Sequence, residues 1–173
     1  MQKPSPLQQL VASPVFIPMV MLESSTMPLF LALISQYGFG LHPCELCIWQ
    51  RVPYVALIVL AGAAVAFMRR PVVLRRLLQL SIVLWFVEAA LAFYHVGVEQ
   101  QWWDSVTGCS GGGSVNGSLD DLKAQILSSP VVSCGTPEFV FMGLSMAGWN
   151  LVYAVVMLGF MMKLEAKHGA ARR

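Results

Sequence analysis

The chain has 173 residues, a net charge of +2 and four cysteines; 57% of its residues are hydrophobic, only 12% are charged, and the mean hydropathy is +0.66. Soluble domains run near ~25% charged. So little charge cannot cover a soluble surface, which excludes an ordinary soluble enzyme, a disordered chain and a nucleic-acid binder.

A membrane-crossing helix needs roughly 20 mostly apolar residues. Four stretches qualify, at about 19–40, 51–68, 75–96 and 140–162. Pro14, Pro18, Glu23 and Pro28 interrupt the first. Glu23 is placed near one end of that span, where a carboxylate reaches water. A cleaved secretory signal needs a short apolar region and a small-residue cleavage site; this stretch is long and no convincing site follows it. The expected architecture is an all-α membrane protein. It is a single four-helix transmembrane domain over 1–173, with outer loops at about 41–50 and 97–139.

Orientation follows Lys and Arg in short loops. Nine of the 11 basic residues fall on one side: Lys3, Arg69, Arg70, Arg75, Arg76, Lys163, Lys167, Arg172 and Arg173. Arg51 and Lys123 remain on the other. Both termini are therefore expected in the cytoplasm, and all four cysteines face outward. Disulfides persist in oxidising compartments such as the periplasm. Four cysteines can pair in three ways, and spacing selects none of them.

The first outer loop holds C-E-L-C at 44–47. Haem attachment requires His after the second cysteine, and Ile48 stands there. A zinc ribbon requires a second C-x-x-C, whereas Cys109 and Cys134 are 25 apart. A four-cysteine zinc site and two structural disulfides are the competing readings. Redox exchange leads because Cys47 precedes the second span, at the positive end of that helix, and Arg51 lies one turn on. Both features lower a thiol pKa, and the thiolate is the nucleophile in exchange. A lone Arg there also suits a headgroup anchor.

Within the third span, Glu88 shares a helical face with His95 seven residues on. An intramembrane acid is a functional candidate; a proton relay and a protonated structural group both fit, and the structural reading is favoured. Gln36 at the outer end of the first span suits a hydrogen bond to a bound ligand or an interhelical bond. Gly62, Gly143 and Gly148 read as close-packing positions, and the ten methionines as core filler or lipid-facing residues.

The long outer loop has three parts. Trp102 and Trp103 suit an aromatic belt. The stretch SGGGSVNGS, with Gly111, Gly112 and Gly113, reads as flexible. Ser118 and Asp121 form a capping-box pattern that opens a short helix, ended by Pro130. Its Leu119, Leu122 and Ile126 share an apolar face that suits the headgroup boundary or its own loop. Asn116-Gly117-Ser118 matches a glycosylation acceptor and is treated as incidental.

PCELCIWQR at 43–51, with the 109/134 pair, resembles the DsbB family, bacterial inner-membrane proteins that reoxidise the periplasmic thiol oxidase DsbA and pass electrons to quinone. AFYHVGVEQQWW at 92–103 and GLSMAGWN at 143–150 are similar to its proteobacterial branch. The resemblance covers nearly the whole chain. It implies that reduced DsbA attacks Cys109, that Cys134 is released and attacks Cys44, and that Cys47 becomes the thiolate engaging quinone through a charge-transfer complex or adduct. It implies that Arg51 stabilises that thiolate and the quinone anion, that His95 lies near the quinone, and that quinone is the ligand Gln36 would contact. Electrons leave as quinol to the respiratory chain. Ubiquinone or menaquinone is expected, with no metal; the partners are a DsbA-like protein and membrane lipid, not nucleic acid. A relative resembling vitamin K epoxide reductase typically carries its C-x-x-C near the chain end, after the loop pair; here the order is reversed. A scaffold with structural disulfides is the non-enzymatic alternative.

Overall fold

A computed structural model describes residues 13, 15–107, 109 and 132–170. Four helices carry the chain: α1 (Phe16–Gly38), α2 (Glu45–Ala66), α3 (Pro71–Glu99) and α4 (Met146–Ala170). Each is long and apolar enough to cross a membrane. The architecture is a four-helix membrane bundle. The stretch expected to form a short helix near 118–129, the Gly111–Gly113 run and the Asn116 acceptor lie outside the described residues.

The prolines of α1 have specific places. Pro18 sits in the first turn, where no backbone N–H is needed. Pro28 lies inside the helix and cannot donate to the carbonyl of Ser24. The hydroxyl of Tyr153 on α4 donates to that carbonyl at 2.8 Å. A freed backbone acceptor in a membrane helix needs such a partner, so Pro28 also specifies a tie from α1 to α4. Ser24, Ser25, Thr26 and Ser35 turn their hydroxyls back onto carbonyls of their own helix, which hides them from lipid.

Helix α2 begins earlier than the expected 51, because Cys44 acts as its N-cap. The Cys44 sulfur accepts from the backbone N–H of Cys47 at 3.3 Å, the service a Ser or Asp oxygen usually renders. Pro71 opens α3 at its first position, where its fixed φ favours the helix. The fourth span was expected from 140, yet 140–145 form an antiparallel hairpin of β1 (Val140–Phe141) and β2 (Leu144–Ser145). Met142 and Gly143 both have positive φ, 52° and 81°, the primed turn that joins two strands tightly. Ser145 then accepts from Gly148 N at 3.0 Å and caps α4.

Successive helices pack side by side, α1 on α2, α2 on α3 and α3 on α4, and the α1–α4 seam is thinner. The core runs through Ile17, Met21, Leu57, Leu78, Trp85, Ala154 and Met161. Trp85 is edge-on to Tyr54 and Tyr153 at 5.7 and 5.8 Å, an arrangement aromatic quadrupoles favour. Ala61 and Ala64 are fully buried and let helices approach. Gly62, expected as a close-packing position, is exposed, and a Cβ there would meet nothing within 4 Å. Gly143 serves the hairpin turn, and Gly148 has only ordinary contacts. Met21 and Met161 fill the core, while Met19, Met27 and Met162 face outward. At the other end of the bundle, Arg75 pairs with Glu165 at 2.8 Å and Gln79 donates to the same oxygen.

Candidate active site

Where the four helices reach the cysteine-bearing end, α1, α2, α3, α4 and the 132–139 segment enclose a cavity of about 380 Å³. Its wall is mostly apolar, from Met27, Leu31, Leu41 and Phe139 among others, and Cys44, Cys47, Gln50, Arg51, His95, Glu99 and Cys134 also line it. Glu138 accepts from the backbone N–H of His42 at 2.9 Å and ties the two loops across the mouth.

All four cysteines meet here. Cys44, Cys109 and Cys134 share one buried cluster with Leu46 and Val98, and Cys47 packs against it. Cys109 and Cys134 are joined as a disulfide, and the backbone N–H of Cys134 donates to Cys109 O at 2.8 Å. Ser105 and Thr107 hydroxyls lie 3.2 and 3.1 Å from the Cys109 sulfur. Cys44 and Cys47 are free thiols whose sulfurs lie 2.8 Å apart.

In this dithiol state the surroundings acidify Cys44. Its thiol is held down to about 5. The hydrogen bond from the Cys47 thiol is the largest cause, burial opposes it, and His95 and the Cys47 backbone N–H lower it further. Charge was expected on Cys47, from the helix end and Arg51. In the dithiol state it is the Cys44 thiol that is acidified, chiefly by its contact with the Cys47 thiol; the expected Cys47 thiolate belongs to the state reached after exchange.

His95 is only 2% exposed. Its Nε2 lies 3.5 Å from the Cys44 sulfur and 3.9 Å from Glu99 Oε1, and its Nδ1 lies 3.5 Å from Gln50 Oε1. Glu99 in turn accepts a short hydrogen bond from Ser145 at the start of α4. Arg51 Nη1 donates to Gln36 Oε1 at 2.7 Å, so Gln36 makes the interhelical bond that was one of its two expected uses. Two buried donors on the cavity wall have no partner among the described residues, Gln50 Nε2 and Arg51 Nε.

Deeper in the bundle, Tyr54 donates to Asn150 Oδ1 at 2.6 Å, and Asn150 Nδ2 donates to Glu88 Oε1 at 2.7 Å. Glu88 is fully buried and does not line the cavity. Sequence reasoning passed over Gln50, Glu99, Ser145, Tyr54 and Asn150. Glu99 carried a signal, since it stands four residues after His95 on one helix face; Gln50 adjoins Arg51 and carried none.

A protein-family model described as "Disulfide bond formation protein DsbB" matches residues 15–164. The chain belongs to the DsbB family. A protein named "Disulfide bond formation protein B" from Acinetobacter baumannii is 32% identical over 136 residues, covering 73% of this chain and 76% of its own. Its namesake from Acinetobacter baylyi is 31% identical over 153 residues, with 83% and 85% covered. An uncharacterized protein of Rickettsia prowazekii is 28% identical over 149 residues, covering 83% of each chain. No solved structure matches. The protein is a multi-pass membrane protein of a disulfide-forming family, and the family implies a thiol oxidase partner.

Proposed function

We propose that the protein is a quinone-dependent thiol:disulfide oxidoreductase that reoxidises a DsbA-like periplasmic thiol oxidase. The observation that carries this reading is a pair of buried donors without a partner among the described residues, Gln50 Nε2 and Arg51 Nε, on the wall of an apolar cavity that also holds the C-x-x-C sulfurs. Buried donors left unmade are costly. A quinone ring is flat and apolar and presents carbonyl acceptors without donors, so these residues fit it. When bound, ubiquinone or menaquinone supplies the sink for two electrons and two protons.

The remaining steps belong to the chain. A thiolate of the partner attacks Cys109 and releases Cys134. Cys134 attacks Cys44 of the oxidised C-x-x-C pair, and Cys47 departs as the thiolate. The shared burial of Cys44 and Cys134 supports a short path for that exchange. Cys47 lines the cavity, and Arg51, held by Gln36, places a cation on the same wall. The partner's second thiolate attacks its own sulfur in the mixed disulfide, so the oxidised partner departs and Cys109 is released as a thiolate. Cys109 then attacks Cys134 and re-forms the 109–134 disulfide with Cys44 as the leaving group; His95 beside Cys44 favours that thiolate, and a stabilised thiolate leaves faster. The split of the basic residues supports N-in/C-in placement in the bacterial inner membrane, with the cysteines facing the periplasm. The whole chain is read as one four-helix domain.

Purified protein should reduce one quinone per dithiol oxidised when given a reduced DsbA-like protein. Cys47→Ser should abolish the reaction. Undiminished quinone reduction in that variant overturns the assignment.

A further inference from the structure

The geometry points to a zinc site in the same pocket: when the C-x-x-C pair is reduced, Cys44 Sγ, Cys47 Sγ and His95 Nε2 hold one Zn²⁺ ion, which arrests electron transfer. The arrest rests on the proposed quinone reading; the binding does not. The three ligand atoms lie within 4.8 Å of one another. Bonds of about 2.3 Å to sulfur and about 2.0 Å to nitrogen place S and N about 3.6 Å apart in a tetrahedral site, and two sulfurs about 3.8 Å apart. The Cys44–His95 separation is 3.5 Å and the sulfurs are 2.8 Å apart. The Cys44–His95 edge is already built, the sulfur–sulfur edge opens by about 1 Å through rotation of the Cys47 side chain, and the Cys47–His95 edge lies within 4.8 Å.

The surroundings suit a metal-bearing imidazole. A ligating His normally donates its other ring N–H to an oxygen that fixes its tautomer, and Gln50 Oε1 faces His95 Nδ1 at 3.5 Å. Glu99 Oε1 is 3.9 Å from His95 Nε2, while Ser145 holds the other carboxylate oxygen. Two thiolates cancel the charge of a divalent ion, so the complex adds no net charge to an apolar wall. Near neutral pH Cys44 is already a thiolate, so binding displaces the one proton left on Cys47 and gives one metal dithiolate. The oxidised pair cannot bind, because its sulfurs spend their bonding on each other. The ligand set is unlike a four-cysteine site, since Cys109 and Cys134 are bonded together.

The test uses the full chain in detergent, reduced with a phosphine, and Co²⁺ as a coloured probe for Zn²⁺. One Co²⁺ per reduced chain is expected, with a thiolate-to-metal absorption band that Zn²⁺ abolishes by displacement. The band should be missing from the oxidised protein and from Cys47→Ser, and should persist in Cys109→Ser/Cys134→Ser. Gln50→Leu should weaken Zn²⁺ about 10-fold. No band in the reduced chain, or an equal band in the oxidised chain, overturns the site even if Cys47→Ser misfolds. Zn²⁺ should stop quinone reduction, and a chelator should restore it. Co²⁺ binding in a protein that never reduces quinone sustains the site and overturns the proposed function. Quinone reduction without Co²⁺ binding does the reverse.

Discussion

Asn150 Nδ2 donates to Glu88 Oε1 at 2.7 Å, and this bond gives the intramembrane acid a structural partner in the helix packed against it. Glu88 Oε2 has no partner among the described residues. A carboxyl fully out of water is tolerated only when hydrogen-bonded or neutral. Glu88→Gln keeps the acceptor for Asn150 and should change stability by less than about 1 kcal/mol. Glu88→Ala leaves a cavity and an unpaired amide, and should cost about 2–4 kcal/mol. Thermal unfolding in detergent measures both; equal losses would show that the acceptor is immaterial.

Arg51 and Gln36 couple α2 to α1 at the cavity wall. Hydrogen bonds to charged groups contribute about 1.5–3 kcal/mol. Arg51→Leu should therefore raise the KM for quinone by about 10- to 100-fold, with oxidation of Cys109 and Cys134 by exchange left intact. Gln36→Leu should have a smaller effect in the same direction, because the guanidinium loses its brace and keeps its charge. Steady-state kinetics over a quinone concentration series separates these outcomes from a loss of kcat alone.

Cys44 should be a thiolate across the neutral range in the reduced protein. With its thiol at about 5 rather than 9.0, metal-free protein should show an alkylation rate that is flat above pH 6 and falls below pH 5. Cys47→Ala removes the largest cause and should move the midpoint upward, more than His95→Ala does. The linkage has a definite sign. A depressed value stabilises the folded dithiol form fully above about 9, progressively less from there down to about 5, and not at all below. Mass-spectrometric rates for the Cys44 peptide check the midpoint.

Gly97 packs under the indole of Trp103, where an added Cβ would overlap the ring. Trp103 is stacked on Tyr94 and donates to the Tyr94 carbonyl at 3.0 Å. Gly97→Ala should displace the indole and cost about 1–3 kcal/mol. A shift in tryptophan emission should accompany the lost stability; unchanged emission would place the strain elsewhere.

Much of this was legible in the order of residues. Membrane class, four spans and the polarity of the basic residues follow from local hydropathy and charge, which need no packing to be read. The C-x-x-C beside Arg51, and its fit with the 109/134 pair, likewise lie in plain order along the chain. Their meeting in one cluster does not. The acidity of Cys44 depends on the Cys47 thiol and on His95, and His95 comes to it from another helix. The start of α4 depended on a hairpin turn that an apolar run concealed. Gln50, Glu99 and Ser145 gain their places from contacts between α2, α3 and α4, and such contacts come from how helices rotate against each other. The cavity, its two unpaired donors and the Tyr153–Ser24 tie belong to that packing, because each joins groups whose separation along the chain says nothing of their distance in space.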